Sequence, residues 1–469
     1  MSSATASLSR PVRGLEARAV WRWHFYASFF CIPFVLWLSA TGTIYLFKPQ
    51  IERFLDRPYD HLAIAHRATA NAQAQAALAA VPGGTLDSYE LPHTPASAAQ
   101  VLVDRGAQQF RVYVHPETLA ILKVDDEDRR LERIVFKLHG ELLIGETGSW
   151  MVELAGSWAV IMILTGLFLW WPRSAPGLGG VLYPRLRSGS RTFWRDLHSV
   201  TGIYVSCLAL FQLFTGLPWA KGWGGYLKTI RHYSAGQAVA QDWTTSSSEA
   251  IAARISRTQV ATTASEHAQH NAPPGNHRGS SLMGPSAFSA LDSMIAAVVP
   301  LNLPEPVLIS PTSSAGGNWT AKSDTPDRPR RVNLVLDGGT GAILSRADFN
   351  TRPWLDRIIG TGVAAHEGAL FGLANQLVSL LMVAGLVTLS LSGLIMWWRR
   401  KPEGALGAPA PIGRVRFSPA LVALLFVLGV YFPFFGGSMI LVGLTEKFIL
   451  RRIPQTQRWL GLSAAPAQT

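Results

Sequence analysis

The sequence predicts an α-helical membrane protein: a four-helix bundle made of two parallel internal repeats, a peripheral fifth helix, and two α+β inserts on the outer side. Three observations predict it. Five apolar runs, near 24–47, 150–171, 198–219, 376–398 and 418–441, are long enough to cross a bilayer, which needs about 20 residues. Two polar segments, 50–130 and 222–355, interrupt them. Finally, RIVFKLHGELLIGETGSWMVELAGSWAVIMILTGLFLWWPR (133–173) is restated as GVAAHEGALFGLANQLVSLLMVAGLVTLSLSGLIMWWRR (362–400). After the histidine in each, His139 or His366, a Gly follows at +6 (Gly145, Gly372) and another at +27 (Gly166, Gly393). A Trp pair follows at +31 and +32. Unrelated helices would not share those offsets.

The chain has 469 residues, 48% hydrophobic and 15% charged, with a net charge of +12. Lys and Arg in short flanks mark the cytoplasmic ends of spans. They cluster before the first run (Arg10, Arg13, Arg18, Arg22), over 172–197 (Arg173, Arg185, Arg187, Arg191, Arg195) and over 399–417 (Arg399, Arg400, Lys401, Arg414, Arg416). Both inserts and the C-terminus are therefore expected outside. Because the basic residues sit at membrane ends, no nucleic-acid partner is expected; the partner they imply is the lipid bilayer. Cys31 and Cys207 fall in membrane runs, so neither a disulfide framework nor a Cys metal site is implied.

In order, residues 1–18 read as a cytoplasmic tail and 19–48 as the first span, too long for a signal-peptide core. The first outer insert, 49–130, shows a helix over Arg67–Val81 and strands at Ala99–Asp104, Phe110–Val114 and Leu119–Val124. Residues 131–173 are the His-bearing lead-in and second span, 174–191 a cytoplasmic loop, and 192–220 the third span. The second insert, 221–355, shows a helix near Phe288–Val299 and strands near Val307–Ser310, Asn318–Lys322, Arg331–Leu336 and Ala342–Ser345. Its Asp337-Gly338-Gly339-Thr340 turn is a strong hairpin signal, and VYVHPETLAIL aligns with NLVLDGGTGAIL, so the repeat covers the inserts too. A loop-like, Ala/Ser/Thr/His-rich insertion at 234–285, with His267, His270 and His277 in no standard metal spacing, accounts for the longer second half. A second lead-in and fourth span (356–400), a cytoplasmic loop (401–416), a fifth span (417–446) and an outer tail (447–469) complete the chain.

The first and third spans pair as well. His24 to Gly42 and His198 to Gly216 are both 18 residues, five helical turns, so each Gly shares its histidine's face across the membrane. Parallel repeats place equivalent residues at one depth: His24 opposite His198 near the cytoplasmic side, His139 opposite His366 near the outer side. Ionisable residues in membrane spans are functional candidates, and neutral imidazole suits iron. A pair at one depth fits the two axial positions of a haem. Glycine permits close approach, which predicts Gly42 and Gly216 beside an outer haem and Gly166 and Gly393 beside an inner one. Zinc fits less well, since it draws on three or four ligands and no Cys or carboxylate recurs here. Trp170-Trp171 and Trp397-Trp398 read as interfacial belt residues. Arg173, Arg195 and Arg399 are candidate partners of inner haem propionates.

The LH-x5-G lead-in, the TG-x3-WW and SG-x3-WW helix ends and the VYV-HPET-LAIL hairpin resemble the PepSY-associated transmembrane family over about 20–445. That family includes iron-regulated inner-membrane proteins and ferric-siderophore reductases of Gram-negative bacteria. The resemblance implies PepSY-like inserts in the periplasm, a multi-pass inner-membrane location, and two b-type haems ligated by His24, His198, His139 and His366. It further implies electron transfer to a ferric siderophore or other iron chelate. His139, His198 and His366 match family motif positions, and His24 follows through the repeat. With no GxGxxG after a strand and no P-loop, the electron donor is expected to be a quinol, a soluble reductant or another protein. Two other functions compete at this level: a sensory or protease-inhibitory binding module, and a transporter.

Overall fold

The computed structural model describes residues 9–172, 177–235, 251–252, 254–256, 285–312, 317–409 and 417–462. Nearly all of the 234–285 insertion, with His267, His270 and His277, lies outside the described residues, as do Arg173, Arg414 and Arg416. In chain order the elements begin with α1 (Ser9–Leu46), α2 (Lys48–Asp56), α3 (Ala70–Ala80), β1 (Thr85–Glu90), β2 (Ala99–Arg105), β3 (Gln108–Val114) and β4 (Ile121–Asp126). There follow α4 (Leu131–Glu141), α5 (Glu146–Trp170), α6 (Ser190–Gly216), α7 (Lys221–Ala235), α8 (Pro285–Val298), β5 (Val307–Pro311), β6 (Trp319–Ser323), β7 (Val332–Leu336) and β8 (Ile343–Asp348). The last are α9 (Trp354–His366), α10 (Leu373–Trp398), α11 (Pro419–Tyr431), α12 (Pro433–Phe448) and α13 (Pro454–Leu460).

Contacts divide the chain into two units. One joins Met1–Thr43, Leu138–Leu227 and Leu377–Thr469; the other joins Ile44–Lys137 and Lys228–Gln376. Among the described residues, five helical stretches are long and apolar enough to cross a membrane: Glu16–Leu46, Glu146–Trp170, Ser190–Trp219, Leu373–Trp398 and Pro433–Arg452.

In the first unit, α5 packs along α6. A cluster of Val160, Ile161 and Leu217 closes over Phe432 and Phe435, and Trp158 Nε1 donates to Ser438 Oγ at 3.0 Å. The fifth span departs from expectation. Instead of one helix over 417–446, the chain breaks at Phe432, whose φ of −114° and ψ of 84° are not helical, and Pro433 starts a second helix. A proline pushes the residue before it out of the helical region. The two helices then double back: a Cβ on Gly436 would stand 2.7 Å from Gly429 O, an approach that two glycines allow.

Both ends of this hairpin lie at the N-terminal end of α1. The Ser418 amide donates to Glu16 Oε1, Arg22 Nη2 donates to Gly461 O at 3.2 Å, and Tyr26 donates to Leu460 O. Leu406 N donates to Trp459 O at 2.8 Å. The segment 447–469 is expected at the opposite end of the spans, but its described part, through Leu462, lies at the end where α1 begins. Arg451, Arg452 and Arg458 follow the same charge rule.

The second unit also differs from expectation. The two inserts are not separate domains but one antiparallel eight-stranded sheet in the order β4-β3-β2-β1-β5-β6-β7-β8. The seam is β1 against β5, with Tyr89 opposite Ile309 and Glu90 opposite Leu308. Strand β1, absent from the sequence prediction, makes that seam. Alternation buries Val101, Val103, Val112, Val114, Ile309, Leu334 and Leu336 beneath Ala74 and Ala77 of α3 and Leu291 and Met294 of α8. Asp292 Oδ1 accepts the Ala70 amide at 2.7 Å, so α8 caps the start of α3, as an anion at a helix N-terminus should. The aligned hairpins match in detail. Each has a register shift at its end, between Tyr113 and Val114 and between Val335 and Leu336. Each then turns through a left-handed residue, Leu119 at φ 61° or Gly341 at φ 73°.

Candidate functional site

His24 on α1 and His198 on α6 face one another, with ring centroids 6.5 Å apart and planes at 84°. Each ring is anchored at Nδ1. His24 Nδ1 lies 3.0 Å from Thr165 Oγ1; His198 Nδ1 lies 3.1 Å from Leu389 O and 3.2 Å from Ser392 Oγ. The helices come close at glycine. A Cβ on Gly166 would stand 3.3 Å from His24 Cε1, and one on Gly393 would stand 3.6 Å from His198 Cε1.

His139 is seated in the same way. Its Nδ1 lies 3.0 Å from Thr41 Oγ1, and a Cβ on Gly42 would stand 3.1 Å from its Cε1. The lead-in is held there by Trp37 Nε1, which donates to Leu138 O at 3.1 Å. Gly145, at φ 64° and ψ −137°, supplies the break before α5, a conformation open mainly to glycine. His366 ends α9 in the second unit. The structure thus brings His24 to His198; the pairing of His139 with His366 is carried by the repeat.

Gly42, Gly166 and Gly393 each make room for an imidazole on a neighbouring helix, a contact the sequence reading did not name. Sequence reasoning also missed the hydroxyls. The signal was present, because Thr or Ser precedes each glycine: Thr41-Gly42, Thr165-Gly166, Thr215-Gly216 and Ser392-Gly393.

Each Trp pair anchors a loop. Trp170 Nε1 donates to Val181 O at 3.1 Å and Trp397 Nε1 to Leu406 O at 2.8 Å, while Trp171 and Trp398 remain exposed. Arg195 pairs with buried Asp196 at 2.9 Å, together with Arg185 at 2.7 Å; Arg399 donates to Ser190.

The spacing and partners of the two rings fit a metal held between them. Imidazoles holding one metal between them, each at about 2.0–2.1 Å, would have ring centroids roughly 6 Å apart, and 6.5 Å is near that value. Metal-ligating histidines typically donate the other ring N–H to a carbonyl or a similar acceptor. Leu389 O and the hydroxyls supply such acceptors, leaving Nε2 of each ring for a ligand.

Apolar spans with histidines seated against neighbouring helices, joined in sequence to a single antiparallel sheet, define a multi-pass membrane protein with an extramembrane α+β domain. The chain belongs to the PepSY-associated TM region family, whose model matches residues 21–400. No curated protein matches it.

Proposed function

We propose that this chain is an inner-membrane dihaem b electron-transfer protein. Single electrons pass from a cytoplasmic or membrane donor to a ferric siderophore or other iron(III) chelate in the periplasm. His24 and His198 hold the inner haem and His139 and His366 the outer one, in a bundle of two parallel repeats. The observation that carries this reading is the facing of His24 and His198 at 6.5 Å, each anchored through Nδ1.

Bound haem supplies a one-electron Fe(III)/Fe(II) carrier within the apolar bundle. Thr165, Leu389 and Ser392 orient the inner imidazoles, and Thr41 orients His139 at the other end of α1. The surrounding apolar side chains exclude water from that core. At the outer side one electron converts chelated Fe(III) to Fe(II), which hard-oxygen ligands hold less tightly and release. The donor is a quinol, a soluble reductant or another protein. The basic flanks, with Arg451, Arg452 and Arg458 on the same side, support an orientation with the N-terminus in the cytoplasm and the sheet domain in the periplasm.

The test is spectral. Reduced purified protein should show split α/β bands. His24→Ala and His198→Ala should each remove one component, and His139→Ala and His366→Ala the other. A colourless preparation from haem-replete cells, or loss in any other pairing, refutes the haem assignment. Anaerobic reoxidation by a panel of ferric siderophores tests the substrate separately; if none reoxidises the protein, the reductase reading falls.

A further inference from the structure

We propose that Thr165, Ser392 and Thr41 are positioning residues that fix the tautomer of His24, His198 and His139 and set the electron density of their ligating nitrogens. The proposal rests on the dihaem reading. A hydroxyl has one proton and two lone pairs. Thr165 Oγ1 donates its proton to Ile161 O at 2.8 Å, Thr41 Oγ1 to Trp37 O at 2.9 Å, and Ser392 Oγ to Leu389 O at 3.1 Å. Each hydroxyl proton is thus directed back into its own helix, and the oxygen facing the imidazole must accept.

The proton of that second bond comes from Nδ1–H. At His198 the assignment has a second support, because Leu389 O, 3.1 Å from Nδ1, can only accept. With Nδ1 protonated in all three rings, the lone pair lies on Nε2. The adjacent glycines let the rings approach closely, 3.1–3.6 Å from where a Cβ would stand.

An acceptor on the distal N–H makes an imidazole a more basic ligand and so favours the ferric state. Removing it should favour the ferrous state. Both inner imidazoles combine a hydroxyl with a backbone carbonyl: Thr165 and the Met162 carbonyl at His24, Ser392 and the Leu389 carbonyl at His198. Loss of either hydroxyl should therefore weaken the distal bond of its ring and shift the same component in the same direction.

The experiment is an anaerobic redox titration of full-length protein in detergent, after wild type has been shown to contain haem. Thr165→Val, which keeps the shape and removes the hydroxyl, should raise the potential of one component. At fixed potential the reduced-to-oxidised ratio of that component should increase several-fold, a ten-fold change being 59 mV for one electron. Thr165→Ser should restore it, Ser392→Ala should shift the same component in the same direction, and Thr41→Val should shift the other. If Thr165→Val does not fold, Thr41→Val carries the same prediction. Full haem content with unshifted potentials in both valine variants overturns the proposal and leaves the dihaem reading intact. Wild type without haem overturns both.

Discussion

Gly42 of α1 lies directly against His139 of α4: a Cβ there would stand 3.1 Å from Cε1 and 3.5 Å from Nδ1 of the imidazole. The glycine is a seat for the ring. Gly42→Leu should displace His139 while leaving His24 and His198 in place. On the dihaem reading, haem per protein falls from two to one, measured by pyridine haemochrome absorbance. Full occupancy in this variant would remove Gly42 from the site.

The hairpin of α11 and α12 returns the described chain to the start of α1. With Leu460 and Gly461 bonded to Tyr26 and Arg22, reporters fused to the two termini should behave alike. A fluorescent protein at the C-terminus should glow, and alkaline phosphatase there should be inactive. Phosphatase activity at the C-terminus with a cytoplasmic N-terminus would restore a single fifth span.

Arg111 holds two buried carboxylates in the first half of the sheet, Glu127 at 3.0 Å and Glu90. Burial opposes ionisation of Glu127, but the Arg111 guanidinium, with Arg130 and Arg133, outweighs it and holds the carboxyl at about 2. This stabilisation is present above the ordinary Glu value near 4.5 and is lost as pH falls toward 2. Arg111→Met should cost about 3–5 kcal/mol, as for other buried pairs broken on one side. Hydrogen exchange of β2 and β3 should speed up accordingly, and acid unfolding should begin at higher pH.

His93 bridges the seam, with Nδ1 2.8 Å from Glu305 and Nε2 3.8 Å from Glu90. Burial opposes its charge, yet the Glu305 hydrogen bond and the Glu90, Glu305 and Asp60 carboxylates raise its pKa above 6.5. A raised histidine stabilises fully below its unfolded pKa and stops doing so as pH rises through the folded one. The Leu91 amide, which donates to Val307 O across the seam, should lose protection over that rise beyond the intrinsic exchange rate. His93→Gln should remove that pH dependence.

The spans and hairpins were legible because hydropathy and turn chemistry are local. The features that were not legible depend on partners distant in sequence. Strand β1, TLDSYE, carries Asp87, Ser88 and Glu90, and its strand character comes from β2 and β5 on either side. Proline alone does not mark the α11–α12 break, since Pro33 sits inside a continuous α1. The break differs in having Gly429 and Gly436 to let the two helices close. At the candidate site the repeat singled out the histidines; the Thr or Ser before each glycine recurs as well, but its part as a ring partner depends on facing helices that set it beside Nδ1.

The seam also bears on how such a chain arose. A half-length ancestor ending its sheet at β1 would have left an open edge of unpaired amides and carbonyls, the kind of edge that recruits another strand. An antiparallel pairing like that of Tyr89 with Ile309 could have been supplied by a second copy of the same peptide. The present chain supplies both edges from one polypeptide, so the edge that either half would leave open is closed within the molecule.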